Sequence, residues 1–236
     1  MKQDYKIYKM LGEFDEKQLQ EVKLGLRYDL DVSDYANPNF NAFQMREIRV
    51  GLYYGADVSW YADAIFHEWQ MQNIRYGLMH GLDVSKYAKP YFDSLRMREI
   101  RYGLMHGLDV SWYSDPKFAF YQMREIRLGL MQRVDVSAYA NPSFKQGEMK
   151  QIRESMISEP DFSSYTYLPP EKLEIIKQAL RLNLDASWLL KHDFNETQMR
   201  SILTGLILGL DVSWYTEPCF NYHQMNEILY GLASGL

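Results

Sequence analysis

One cysteine, Cys219, stands in 236 residues, which excludes an intramolecular disulfide framework and a thiolate-held metal cluster. No apolar run approaches the roughly 18 residues that a membrane span requires. Met1 to Leu11 is polar and charged, without the apolar stretch of a secretory signal. A cytoplasmic location with no membrane association is the expectation. Basic charge is also short: 26 Lys and Arg against 31 Asp and Glu leave a net charge of −5. That is a poor footprint for sequence-independent nucleic-acid binding. No His-Glu-x-x-His, phosphate-binding glycine loop, dinucleotide fingerprint or nucleophile elbow occurs. What the chain holds in excess is aromatic: 19 Tyr, 11 Phe and 5 Trp.

Those aromatics are periodic. Phe14, Phe40, Phe66, Phe92, Phe118 and Phe144 recur every 26 residues, and Phe194 and Phe220 resume the series after a defect. One such repeat is too short to bury its own apolar residues, so neighbours must stack into a continuous core. Within the second repeat, Met45, Ile48 and Leu52 fall on one face of a helix. Asn41, Asp93, Asn195 and Asn221 sit where they cap the long helices. Gly55, Gly81, Gly107 and Gly209 suit left-handed C-terminal caps, although Arg133 and Glu159 in the same slot imply that this cap is not obligatory. Asp recurs at 31, 57, 83, 109, 135, 161, 185 and 211 as the N-cap of a second, short helix ended by a proline.

The fold class that follows is all-α: a right-handed α-solenoid of about nine 26-residue repeats, each a long helix plus a short one. Residues 1–13 form an N-terminal cap and 14–236 a single repeat domain. Phe144 to Leu168 spans 24 residues instead of 26, so the repeat at about 154–170 is irregular and should bend or restack. Gly51 and its equivalents cost about 1 kcal/mol each within a helix, which implies that a neighbouring helix passes too close for a larger side chain.

A short helix, a proline, a longer helix, and the motif Gln-Met-x-Glu-Ile-Arg-x-Gly-Leu-x-x-Gly-Leu-Asp-Val-Ser together resemble the layout of leucine-rich-variant and armadillo-like repeats. The resemblance covers nearly the whole chain, as architecture; the consensus residues of those families do not map onto this motif. It implies binding surfaces in place of active sites.

Neither the five histidines nor the Asp–Ser pair of each repeat builds a catalytic or metal site. His80 and His106 stack on adjacent repeats without a recurring carboxylate, and capping accounts for the Asp and Ser. No cofactor or metal is expected, and no enzymatic activity. The arginine ladder Arg49, Arg75, Arg101, Arg127 and Arg153 falls between the core and a neighbouring helix, which favours pairing with Glu47, Glu99 and Glu125 or with the Asp ladder over gripping phosphates.

The candidate binding residues are those that vary. On a helical wheel the slots two before, five after and nine after Met45 lie at about 140–180°, opposite the core. In four consecutive repeats they carry Phe43, Tyr54, Trp69, Tyr76, His80, Tyr102, His106 and Tyr121, while elsewhere they accept Lys, Gly, Glu and Thr. Trp60 and Trp112 occupy a second variable slot, which either packs on the proline loop or forms a second contact surface. Exposed aromatic surface marks an interaction site. A protein or peptide partner is the leading expectation, as an adaptor or a stoichiometric inhibitor. Single-stranded nucleic acid, disfavoured by charge, and self-assembly into a homo-oligomer through the solenoid ends are the alternatives.

Overall fold

The structure, a computed structural model, describes residues 13–157 and 161–234. The expected N-terminal cap lies almost wholly outside the described residues, as do Glu159 and Pro160 of the irregular repeat. Ten α-helices and no strand occur among the described residues. They are α1 (Glu16–Arg27), α2 (Ala42–Tyr53), α3 (Glu68–Met79), α4 (Ser94–Met105), α5 (Phe120–Met131), α6 (Gln146–Ser155), α7 (Pro170–Arg181), the short α8 (Ser187–Leu190), α9 (Glu196–Leu208) and α10 (Tyr222–Ser234). The chain is an all-α solenoid of repeated helix pairs. By contacts it divides into two compact units, Met1–Arg101 and Tyr102–Leu236. In the first, α1 packs on α2 and α2 on α3; in the second, α5 packs on α6, α7 on α9, and α9 on α10.

The second, short helical element of most repeats is a single 3-10 turn, as at Val58–Trp60 and Val84–Lys86. Asp57 opens its turn by accepting from the Ser59 N–H at 3.1 Å. The turn stops because the next residue, Tyr61, leaves helical geometry at φ −148°. That swing drives its ring into the long helix of the same repeat, where its hydroxyl donates to the Glu47 carbonyl at 3.3 Å. Tyr35, Tyr87, Tyr139 and Tyr215 do the same in their own repeats.

This tyrosine is the reason for the glycine inside the long helix, and it corrects the expectation of a close neighbouring helix. A Cβ at Gly51 would lie 1.9 Å from Tyr61 Oη, and one at Gly77 would lie 1.8 Å from Tyr87 Oη. Where the chain departs from the pair, both sides respond. Ala179 replaces the glycine in the repeat whose tyrosine slot holds Leu189. Ser155 replaces it in the repeat whose Tyr165 is only half-buried, whereas Tyr61, Tyr87 and Tyr139 are fully buried.

Burying that ring turns the long helix. Gln44, Met45, Ile48 and Gly51 are its buried residues, which centres the core face near 290° on the wheel with Met45 at 0°, away from the centre that Met45, Ile48 and Leu52 would give. Leu52, expected in the core, is therefore half-buried. The left-handed C-terminal caps are present at Gly55, Gly81, Gly107 and Gly209, with φ from 64° to 73°. Arg133 holds the same conformation at φ 59°, and Asp29 and Asn183 join it. The conformation is kept even where glycine is not, which corrects the inference drawn from Arg133.

Repeats are tied to one another by a glutamine. Gln70 Oε1 accepts from the His67 N–H that opens α3, and its Nε2 donates to Pro90 O at 3.2 Å and Phe92 O at 2.6 Å in the loop leading to α4. Gln18, Gln44, Gln122 and Gln198 make the same clamp. In the repeat before the defect the slot holds Glu148, which accepts from Lys145 N but has no amide to donate onward. The missing clamp, Ser155 in the glycine slot and the 24-residue spacing all fall on this one junction.

Gly77→Ala should destabilise the protein by about 1–3 kcal/mol through overpacking, despite a helix-propensity gain of about 1 kcal/mol. Gly77→Ala/Tyr87→Phe should be more stable than Gly77→Ala, since the clashing oxygen is gone; thermal unfolding of the four members of the cycle measures this. Gln44→Glu should cost about 2–4 kcal/mol at neutral pH, because its carboxylate faces two carbonyl oxygens and cannot donate. A buried acid of this kind has a raised folded-state pKa. The loss should therefore vanish below about pH 4.3 and grow as pH rises through the folded value, in a urea midpoint against pH.

Candidate binding surface

Most charged residues of the motif are committed inside the stack. Arg49 Nε donates to Glu21 Oε2 at 2.7 Å and Arg75 Nε to Glu47 Oε2 at 2.9 Å, each reaching the preceding repeat. Arg153 pairs with Glu125 at 3.0 Å. Arg101 donates to Asn73 Oδ1 at 3.2 Å. Arg75, Arg101, Arg127 and Arg153 are all buried. The ladder is an inter-repeat lock, with Arg49 its one part-buried member. The Asp of each Asp-Val-Ser is a cap, and the serine hydroxyl holds the Asp31, Asp83 and Asp135 carboxyls below the usual carboxylate range.

The aromatic stripe separates into slots with different fates. In the first compact unit, Phe43 and Trp69 are each 57% exposed and Leu95 is 37% exposed, on α2, α3 and α4. Tyr54 is exposed beside Tyr53, whose ring meets those of Tyr54 and Tyr28 at 5.1 and 5.2 Å. Tyr76 contradicts its expected place on the exposed face opposite the core: it is 1% exposed. The guanidinium of Arg101, from the next repeat, lies 4.1 Å above its ring, and the His80 ring stacks on it with centroids 4.1 Å apart. His80 itself is exposed, its Nδ1 2.9 Å from Tyr76 O.

In the second compact unit Tyr121 is exposed. Tyr102 is half-buried, with Arg127 5.5 Å over its ring. His106 is half-buried too, and its Nε2 lies 3.1 Å from the Ile207 carbonyl, 101 residues along the chain. A Cβ at Gly209 would come within 3.0 Å of Met105 Cβ. The ends of α4 and α9 therefore meet at a slot expected to be exposed, and His106 is a contact within the fold. A neighbouring cavity of about 210 Å³ is lined by His106, Leu130, Met131, Arg133, Leu182 and Asn183, among others. No group of three or more His, Cys, Asp or Glu among the described residues is placed to hold a metal ion. No helix among them is long and apolar enough to cross a membrane.

Trp60 and Trp112 are exposed on their turns, at 42% and 41%. The sequence reading missed Ile65 and Tyr91, 63% and 56% exposed, immediately before Phe66 and Phe92. Their slot varies through Asn39, Lys117, Ser143 and Asp193, and that variation was the available signal. Beside the exposed row, one helical step on, lie the exposed Arg46 on α2 and the partly exposed Arg98 on α4, with Gln72 between them on α3. With the core face near 290°, this arginine row points most directly outward.

Burial holds the His106 imidazole below its ordinary pKa, with the Arg127 charge adding to the effect against the hydrogen bond to Ile207. The contact is thus favoured by neutral imidazole: its stabilisation is fully present above about pH 6.5 and is lost as pH falls through the lowered folded value. His106→Gln keeps an Nε2–H donor without a titration. Between pH 7.5 and 5.5 the thermal midpoint of the native protein should fall relative to that variant, and parallel curves would remove the imidazole from the account. No protein-family model matches the chain, and neither does a curated protein or a solved structure.

Proposed function

We propose that the chain is a cytoplasmic, non-enzymatic repeat module that holds a protein or peptide against Phe43, Trp69 and Leu95, as an adaptor or a stoichiometric inhibitor. The observation that carries this reading is the exposure of those three apolar side chains on successive helices. Neighbouring slots on the same helices are consumed by Arg–Glu pairs, the glutamine clamp and the Tyr76–Arg101 stack. Contiguous exposed apolar surface of this kind marks an interaction site, and aromatic anchors dominate the energetics of such sites. The burial of the arginine ladder weighs against single-stranded nucleic acid, which needs cations that track the backbone.

Phe43→Ala/Trp69→Ala removes two exposed rings without touching the core, so its unfolding midpoint should stay close to the parent. Affinity capture from nuclease-treated extract should lose a partner that the parent chain recovers. Equal recovery by both proteins would overturn the assignment of this row.

A further inference from the structure

The first compact unit presents apolar rungs with a definite interval. Helices packed side by side lie about 8–10 Å apart, and Phe43, Trp69 and Leu95 occupy the same slot on α2, α3 and α4. The packing that sets the interval is explicit: α2 contacts α3, and α3 is joined to α4 by Asn73 Nδ2 to Ser94 O at 3.3 Å and by Arg101 over Tyr76. An occupant that meets successive rungs must repeat its own anchors at that distance. A β-strand returns to one face every about 6.6 Å, and an α-helix brings i and i+7 to one line at about 10.5 Å. A polyproline II segment, with three residues per turn and a rise of about 3.1 Å, returns every about 9.3 Å. Only the last falls inside the interval.

Charge decides what stands between the anchors. Arg46 and Arg98 flank the row one step along their helices; Arg46 is in no salt bridge among the described residues, and Arg98, its side chain 41% exposed, lies 3.9 Å from the buried Glu99. Of the carboxylates near these helix starts, Asp93 is paired with Arg96, and Glu68 is mostly buried, 3.4 Å from the His67 imidazole. The row also sits over first helical turns, the positive ends of the helix dipoles.

We propose that this row binds an acidic polyproline II segment with an apolar residue at every third position and a carboxylate beside it. This rests on the protein-binding reading above and specifies its ligand. Apolar side chains of the segment stack on Phe43, Trp69 and Leu95, and its carboxylates face Arg46 and Arg98. The net charge of −5 opposes a polyanion at long range, whereas a segment with a few carboxylates in register meets the local cations.

Fluorescence anisotropy on the full chain tests it with a labelled peptide of Phe-Glu-Pro repeated four times. The controls are Phe-Lys-Pro repeated four times and a peptide of the first composition with Phe at every second position. The first peptide should bind at least about tenfold more tightly than either control, and Phe43→Ala/Trp69→Ala should remove that margin, a difference of about 1.4 kcal/mol. Arg46→Glu/Arg98→Glu should reverse the preference toward the lysine peptide. Circular dichroism melts confirm that each variant folds. Equal binding of the three peptides overturns the proposal. Random peptides selected on the chain separate the two readings. If selected binders depend on Trp69 but lack the three-residue period, this inference fails and protein binding stands; if none depends on Trp69, both fail. Binding of oligothymidylate, or self-association, abolished by Phe43→Ala/Trp69→Ala gives the row to another occupant and overturns the proposal as well.

Discussion

The carboxamide of Gln70, closed off from water, has one acceptor and two donors, and the stack uses all three. Its oxygen satisfies the N–H that opens its own helix, while its nitrogen satisfies two carbonyls in the loop that opens the next. No other neutral side chain of that length offers both functions, and a charged one would add a desolvation cost. The same atoms thus cap a helix and set the distance to its successor. The Arg–Glu pairs then fix the angle, since each spans 28 residues into the preceding repeat. Buried pairs of this kind are weak sources of stability and better sources of register. At Glu148 the capping half survives and the donating half does not, in the repeat where the spacing breaks, whereas Arg96 fills the same slot in a repeat that keeps the 26-residue spacing.

Inside each repeat a different closure operates. The Asp cap starts a turn, the tyrosine ends it, and the ring enters a notch that only glycine leaves open. A hydroxyl bonded to a helical carbonyl is a second acceptor use for that oxygen, so the helix loses nothing. The exchange of Gly–Tyr for Ala–Leu at Ala179 and Leu189 is the same lock rebuilt with apolar volume. The period of 26, the all-α class, the caps at Asn41, Asp93, Asn195 and Asn221, and the core residues Phe, Met and Ile were legible because each depends on local spacing. The tyrosine–glycine partnership was legible too, as correlated exchange between slots ten residues apart, but a single helix read alone attributes the glycine to a neighbour.

What the wheel could not carry was the position of the next repeat. A wheel places Tyr76 at about 140°, facing away from the core, yet it is among the most buried residues. The reason lies in another helix: Arg101 needs a partner, its counterpart in the preceding repeat is the neutral Asn73, and the Tyr76 ring supplies the face that a carboxylate supplies elsewhere. His106 is hidden more deeply from sequence, because its acceptor lies 101 residues away and no local pattern encodes that approach. The slot of Phe43 and Trp69, only a fraction of a turn from that of Tyr76, escapes burial because it belongs to the first turn of each helix, ahead of the arginine's reach.

The distribution of charge and apolar surface then has a consistent logic. Repetition is spent on groups that satisfy one another, so the recurring Gln, Arg, Glu, Asp and Tyr vanish from the surface or become caps. Solvent meets the slots that the repeat leaves free, and the Phe43 slot is the freest, accepting Lys17, Gly147 and Thr197 without harm to the packing. A slot with no packing duty gains nothing from an exposed ring, and contiguous exposed rings favour aggregation. Phe43, Trp69 and Leu95 in a row are therefore costly to the free chain.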